Sequence, residues 1–215
     1  MKNRFDLIIF DWDGTLINSI DWITHCLQQA AIDCHCPMPE TQSAKNVIGL
    51  SINKAMHALF PSVNETILNQ LISSYSEHYF SKEISHQDLF PGVYDMLMQL
   101  KDQGYQLAVA TGKTRAGLKE ALAATGTEHL FCVTRCADET ASKPDPKMLY
   151  EIISRTQTEK DRVLMVGDSI YDLQMALNAS ISSIGVICGA NSAKSLQAFH
   201  PLLCLEQPTE LLNLI

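Results

Sequence analysis

The 215-residue sequence has no apolar run long enough to cross a membrane, which sets a membrane-spanning protein aside. It has no surplus of positive charge. The 16 Lys and Arg residues face 24 Asp and Glu, and the net charge of −8 argues against a broad nucleic-acid footprint. Internal repeats and low-complexity tracts are missing. The opening "MKNRFDLIIF" has too few apolar residues after its basic ones to read as a signal peptide, so a cytoplasmic location is expected. Seven cysteines, at 26, 34, 36, 132, 136, 188 and 204, are an odd number without a secretory signal and read as reduced thiols. The cluster Cys34–His35–Cys36 lacks a second ligand pair at a zinc spacing; with Pro37 and Pro39 close behind, it reads as a loop between helices.

What is present is a soluble globular composition, 46% hydrophobic and 19% charged. Five short, nearly continuous apolar runs read as strands buried on both faces: "LIIF" (7–10), "YQLAVA" (105–110), "LFCV" (130–133), "RVLMV" (162–166) and "SSIGVI" (182–187). Helical stretches alternate with them at 92–104, 116–126, 146–157 and 172–180, with Gly104 and Gly126 placed as helix terminators. This alternation predicts an α/β fold with a doubly wound, Rossmann-like parallel sheet. Residues 18–88 break the rhythm: they carry helical spacing and no convincing strand. The expected organisation is therefore a core of 1–17 and 89–215 and a helical insertion at 18–88.

Ligands in open α/β sheets bind beyond the carboxyl ends of the strands. The residues following each apolar run are therefore the candidates. Asp11 and Asp13 follow the first, and Thr111, Gly112 and Lys113 follow the second. Asp168 and Asp172 follow "RVLMV", and Lys143 lies in the loop after the third run. Taken singly, each has a plainer reading: a strand-end turn at Asp11 and Asp13, a helix cap at Thr111, a solvated loop residue at Lys143, a first-turn acid at Asp172. Together, the converging carboxylates repel one another unless a cation joins them, and oxygen-only ligands favour Mg²⁺. Thr111, backbone N–H groups near Gly112 and Lys143 would supply donors for a small anion such as phosphate.

The four stretches "DWDGT" (11–15), "VATG" (109–112), "SKPDP" (142–146) and "VGDSIYD" (166–172) resemble, in order and strand placement, the four motifs of the haloacid dehalogenase superfamily. The insertion resembles the small helical cap of its phosphoglycolate phosphatase-like members. The resemblance implies a phosphatase acting on a small-molecule phosphate ester. Asp11 would be the nucleophile and Asp13 the general acid and base. Mg²⁺ would be held by Asp11, the Asp13 main-chain carbonyl and Asp168, with Asp172 supporting; Thr111, Gly112 and Lys143 would bind phosphate. By the same resemblance, the cap loop "KNVIGLS" (45–51) would select substrate through Lys45, Gly49 and Ser51. A sugar phosphomutase of the β-phosphoglucomutase type, or a phosphate-binding protein without catalysis, would share much of this pattern.

Overall fold

In a computed structural model that describes residues 4–215, "LIIF" forms the central strand β1 (Leu7–Phe10), with every side chain buried. Residues 1–3 of the expected core segment 1–17 lie outside the described residues. The remaining strands are β2 (Gln106–Thr111), β3 (Val133–Cys136), β4 (Val163–Gly167), β5 (Ser182–Val186) and β6 (Cys204–Leu205). They form one sheet in the order β3-β2-β1-β4-β5-β6, with every pairing parallel. Parallel neighbours need crossovers, and helices supply them on both faces. The helices α5 (Val93–Asp102) and α6 (Arg115–Thr125) cover one face, against Ile8, Phe10, Leu107, Val109 and Val166. On the other face α7 (Lys147–Thr156) and α8 (Ile170–Ala179) lie against Leu7, Ile9, Ala108 and Met165. Alternate residues of one strand thus feed opposite layers, so the central strand β1 is apolar throughout.

Between β1 and α5 the chain forms four helices: α1 (Ile20–Asp33), α2 (Thr41–Lys45), α3 (Ile52–Leu59) and α4 (Glu65–Phe80). Asn64 starts α4 by accepting from Ile67 N at 3.0 Å. The four helices bury a separate apolar cluster that includes Cys26, Leu27, Ala30, Met56 and Leu71. A short α9 (Ala193–Gln197) packs near β5 and β6.

The third strand departs from the sequence reading. The run "LFCV" predicts a strand at 130–133, whereas Glu128–Leu130 is a 3₁₀ turn and the strand runs from Val133 to Cys136. The cause is its edge position. Arg135 pairs with Glu151 at 2.7 Å and Arg115 Nη1 donates to Thr134 Oγ1 at 2.7 Å, so β3 need not be apolar. Leu130 is buried from the turn instead.

Candidate active site

The sheet register decides where the polar residues stand. Phe10 is level with Val109 on one side and Val166 on the other. The residues that follow these three therefore leave the sheet at one edge. Asp11 N still donates to Val166 O at 2.9 Å, which continues the ladder by one step. Trp12 turns away into the core, fully buried and edge-on to Phe131, with its indole Nε1 unpartnered among the described residues. Gly14 follows at φ 77°, a left-handed conformation that suits glycine; a Cβ there would also collide with the Asp168 carboxylate.

Lys143 lies at the bottom, wholly buried, with Nζ 2.7 Å from Asp11 Oδ1 and 2.6 Å from Asp172 Oδ1. Burial alone would lower its pKa; the Asp11 and Asp172 carboxylates more than reverse this and keep it an ammonium. The other oxygen of Asp172 accepts from Ser169 N at 3.0 Å and Ser169 Oγ at 2.6 Å, while Ser169 Oγ accepts from Asp172 N. This reciprocal box starts α8 and fixes the carboxylate that faces Lys143. Asp168 is clamped differently. Thr15 Oγ1 donates to one oxygen at 2.8 Å and Ala190 N to the other at 2.7 Å.

Carboxylate oxygens of Asp11, Asp168 and Asp172 lie within 4.8 Å of one another, the one such cluster of possible metal ligands among the described residues. Cys34–His35–Cys36 does not form one. Burial and then the Asp172 charge push Asp168 up to about 7, and burial with the same neighbour pushes Asp11 well above the carboxylate range. Among the described residues, the ammonium groups in contact with these carboxyls are Lys143, on Asp11 and Asp172, and Lys113, on Asp13, so two negative charges would stand uncompensated once all four are ionised. A divalent cation on oxygen ligands fits both the charge and the donor set.

Above Asp11 and Asp13 opens a cavity of about 110 Å³, also lined by Thr111, Gly112 and Lys113. Lys113 Nζ lies 3.1 and 3.0 Å from the two Asp13 oxygens and donates to the Tyr79 hydroxyl of α4. Ser19 Oγ completes the hold on Asp13 at 2.7 Å. The cap loop closes the roof. Backbone carbonyls of Gly49 and Leu50 press on Gly112, where a Cβ would come within 2.7 and 2.5 Å of them. Ser51 N donates to Ser142 Oγ at 2.8 Å, and Tyr171 Oη to Asn46 O at 3.0 Å.

Asp11, Asp13, Thr111, Gly112, Lys143, Asp168 and Asp172 therefore meet at one edge, and Gly49 reaches the cavity. Two of the sequence candidates stand apart. Lys45 pairs with Asp21 at 2.8 Å and does not line the cavity, and the Ser51 hydroxyl accepts from Lys54 N to cap α3. The second cation over the site is Lys113, whose signal in the sequence was its place directly after Thr111 and Gly112. No sequence signal marked Tyr79.

A family model described as haloacid dehalogenase-like hydrolase matches residues 8–186. The chain belongs to the haloacid dehalogenase-like hydrolases. Among these hydrolases it is 33% identical to "Probable phosphatase IndB" of Dickeya dadantii, over 96% of this chain and 92% of that one. It is 30% identical to "Phosphoglycolate phosphatase" of Mannheimia succiniciproducens over the full length of both chains. The solved structure of a hydrolase from Pseudomonas syringae superposes with a TM-score of 0.88 at 22% identity, covering 97% of this chain and 96% of that one. The protein is a phosphatase of this superfamily. No helix among the described residues is long and apolar enough to cross a membrane.

Proposed function

We propose that the protein is a Mg²⁺-dependent phosphatase that hydrolyses a small phosphate monoester through an aspartyl-phosphate on Asp11. The observation that carries this reading is the buried Lys143 ammonium held between Asp11 and Asp172, under a cavity that Asp11 and Asp13 share. Lys143 fixes one Asp11 oxygen, which leaves the other to act. The substrate phosphoryl group sits against Thr111 and the backbone at Gly112, facing that oxygen. As the Asp11 oxygen–phosphorus bond forms, the bond to the ester oxygen breaks, and Asp13 gives a proton to the departing alkoxide. In the second half, Asp13 takes a proton from a water that attacks phosphorus, which releases phosphate and restores Asp11. Ser19 and Lys113 hold Asp13 for both transfers.

Asp11 and Asp168, with the main-chain carbonyl of Asp13, would hold Mg²⁺, with Asp172 kept on Lys143. The ion supplies charge neutralisation between the nucleophile and the phosphoryl oxygens. The segment 18–88 acts as the cap, and its docking through Ser51 and Tyr79 excludes water from the cavity.

The test is Asp11→Asn with acetyl phosphate and Mg²⁺. Turnover should fall at least about a thousandfold, with the far-ultraviolet circular dichroism spectrum unchanged. Acid-quenched wild-type protein should carry an acid-stable phosphoryl group on the peptide that contains Asp11. Turnover near the wild-type rate in a clean Asp11→Asn preparation would refute the covalent route.

A further inference from the structure

The cavity beyond the phosphoryl position is walled mainly by apolar and aromatic side chains. The helix α1 contributes Ile23 and Leu27, the cap loop Val47 and Leu50, and α3 Ile52 and Ala55. A further wall is α4, where Tyr75 and Tyr79 stack at 5.8 Å and Phe80 stands beside them, and the start of α6 adds Thr114 and Gly117. The polar atoms of these walls are neutral or already committed, Thr114 Oγ1 accepting from Gly117 N at 3.2 Å. Ser76 Oγ donates back to Ile72 O at 2.8 Å, the Tyr79 hydroxyl receives Lys113, and burial keeps the Tyr75 phenol protonated.

Among the described residues no cation stands ready for a charged leaving group. The segment 18–88 contains no arginine. Of its three lysines, Lys45 is bound to Asp21, Lys82 to Asp88 at 2.6 Å, and Lys54 to the Ser142 carbonyl at 3.4 Å; none lines the cavity. Among the described residues Lys113 is the one cation that does, and both Asp13 oxygens already hold it. A carboxylate or second phosphate carried into this space would lose its water and gain no partner, which is costly. An apolar group would gain by leaving water.

We propose that the substrates are phosphate monoesters of compact, uncharged, apolar alcohols, and that esters bearing a second anionic group are selected against. This rests on the phosphatase reading above and narrows its substrate class. The volume sets the scale. About 110 Å³ is less than the roughly 150 Å³ of an apolar cavity that admits benzene, so short branched alkyl groups suit the space better than fused rings.

Isobutyl phosphate and phosphoglycolate make a matched pair. The isobutyl group and the carboxymethyl group are both branched and have the same number of heavy atoms, and they differ in charge. The intrinsic order runs the other way, because the glycolate oxygen is the better leaving group. The experiment measures kcat/KM for both esters with Mg²⁺, and for acetyl phosphate as a probe that needs no contact with the cap walls. The expected result is that isobutyl phosphate exceeds phosphoglycolate by about tenfold or more. Ile52→Arg, a change at a partly exposed wall position, should narrow or invert that ratio. Equal or greater kcat/KM for phosphoglycolate in the wild type, with acetyl phosphate hydrolysed, would overturn the proposed selectivity and leave the phosphatase reading standing. Failure to hydrolyse acetyl phosphate at all would overturn both.

Discussion

Freed of divalent cations by a chelator, the protein should lose stability as the pH rises from 5 to 8. Asp168 is the reason. Burial, with the nearby Asp172 charge, lifts it from 3.8 to about 7, against hydrogen bonds from Ala190 N and Thr15 that act the other way. Asp11 is lifted in the same direction. In the unfolded chain these carboxyls titrate near ~3.9, so between about pH 4 and 7 the folded state binds more protons than the unfolded one. Stability then falls with rising pH across that window. From pH 5 to 7, two units at about 1.4 kcal/mol each give a loss of about 2–3 kcal/mol from Asp168 alone. Exposed carboxylates held low by partners, such as Asp6 beside Arg162, lose their contribution only on the acid side of the window. The assay is urea unfolding at pH 5 and pH 8 in chelator, followed by tryptophan fluorescence. Asp168→Asn should flatten the slope and make the chelated protein more stable than wild type at pH 8. Saturating Mg²⁺ should restore the wild type at pH 8 and do little for the variant. Wild-type stability that stays level or climbs from pH 5 to 8 would refute the reasoning.

Two further outcomes concern the roof of the cavity. Gly112→Ala should raise KM and lower kcat/KM by about tenfold or more, because its Cβ would meet the Leu50 and Gly49 carbonyls at 2.5 and 2.7 Å and push the cap loop outward. Steady-state kinetics with isobutyl phosphate checks this, and unchanged KM would contradict it. Tyr79→Phe removes the α4 hydroxyl bonded to Lys113 and should cost about 1.5–3 kcal/mol in urea unfolding, the range for a hydrogen bond to a charged group. Loss below about 0.5 kcal/mol would mean that this contact does not hold the cap down.

The sheet was legible where strands are central. "LIIF", "YQLAVA", "RVLMV" and "SSIGVI" carry apolar residues for two layers at once, and that demand shows as nearly continuous hydrophobicity. At the edges the demand lapses, which is why β3 was displaced by three residues and the two-residue β6 was not read. The short helices α2 and α9 complete too few turns to impose a period. The site was legible for a related reason. Strand ends in a parallel sheet share one edge, so Asp11, Thr111 and Asp168 could be grouped from sequence order alone. Nothing comparable links α4 to β2. The meeting of Tyr79 with Lys113 depends on how the four-helix layer sits on the sheet, and no local pattern encodes that. Lys45 shows the converse: its charge near the right loop suggested a role, yet Asp21, one helix away, takes it up.

The apolar walls of the cavity belong to two structures at once. Ile23, Leu27, Val47, Ile48 and Ala55 line the cavity, and the same side chains belong to the cluster that holds α1, α3 and the cap loop together. Truncating one of the larger of them to admit a bulkier ester removes a buried contact, at about 2–5 kcal/mol for a large-to-alanine change. Adaptation to new substrates would then meet foldability as its first obstacle. The low-cost routes run through Leu50, Ile52 and Phe80, which touch the cavity yet remain partly in solvent. A lineage drifting toward larger substrates would gather its changes at that rim, and changes deeper in the wall would become tolerable after stabilising substitutions elsewhere in the cap.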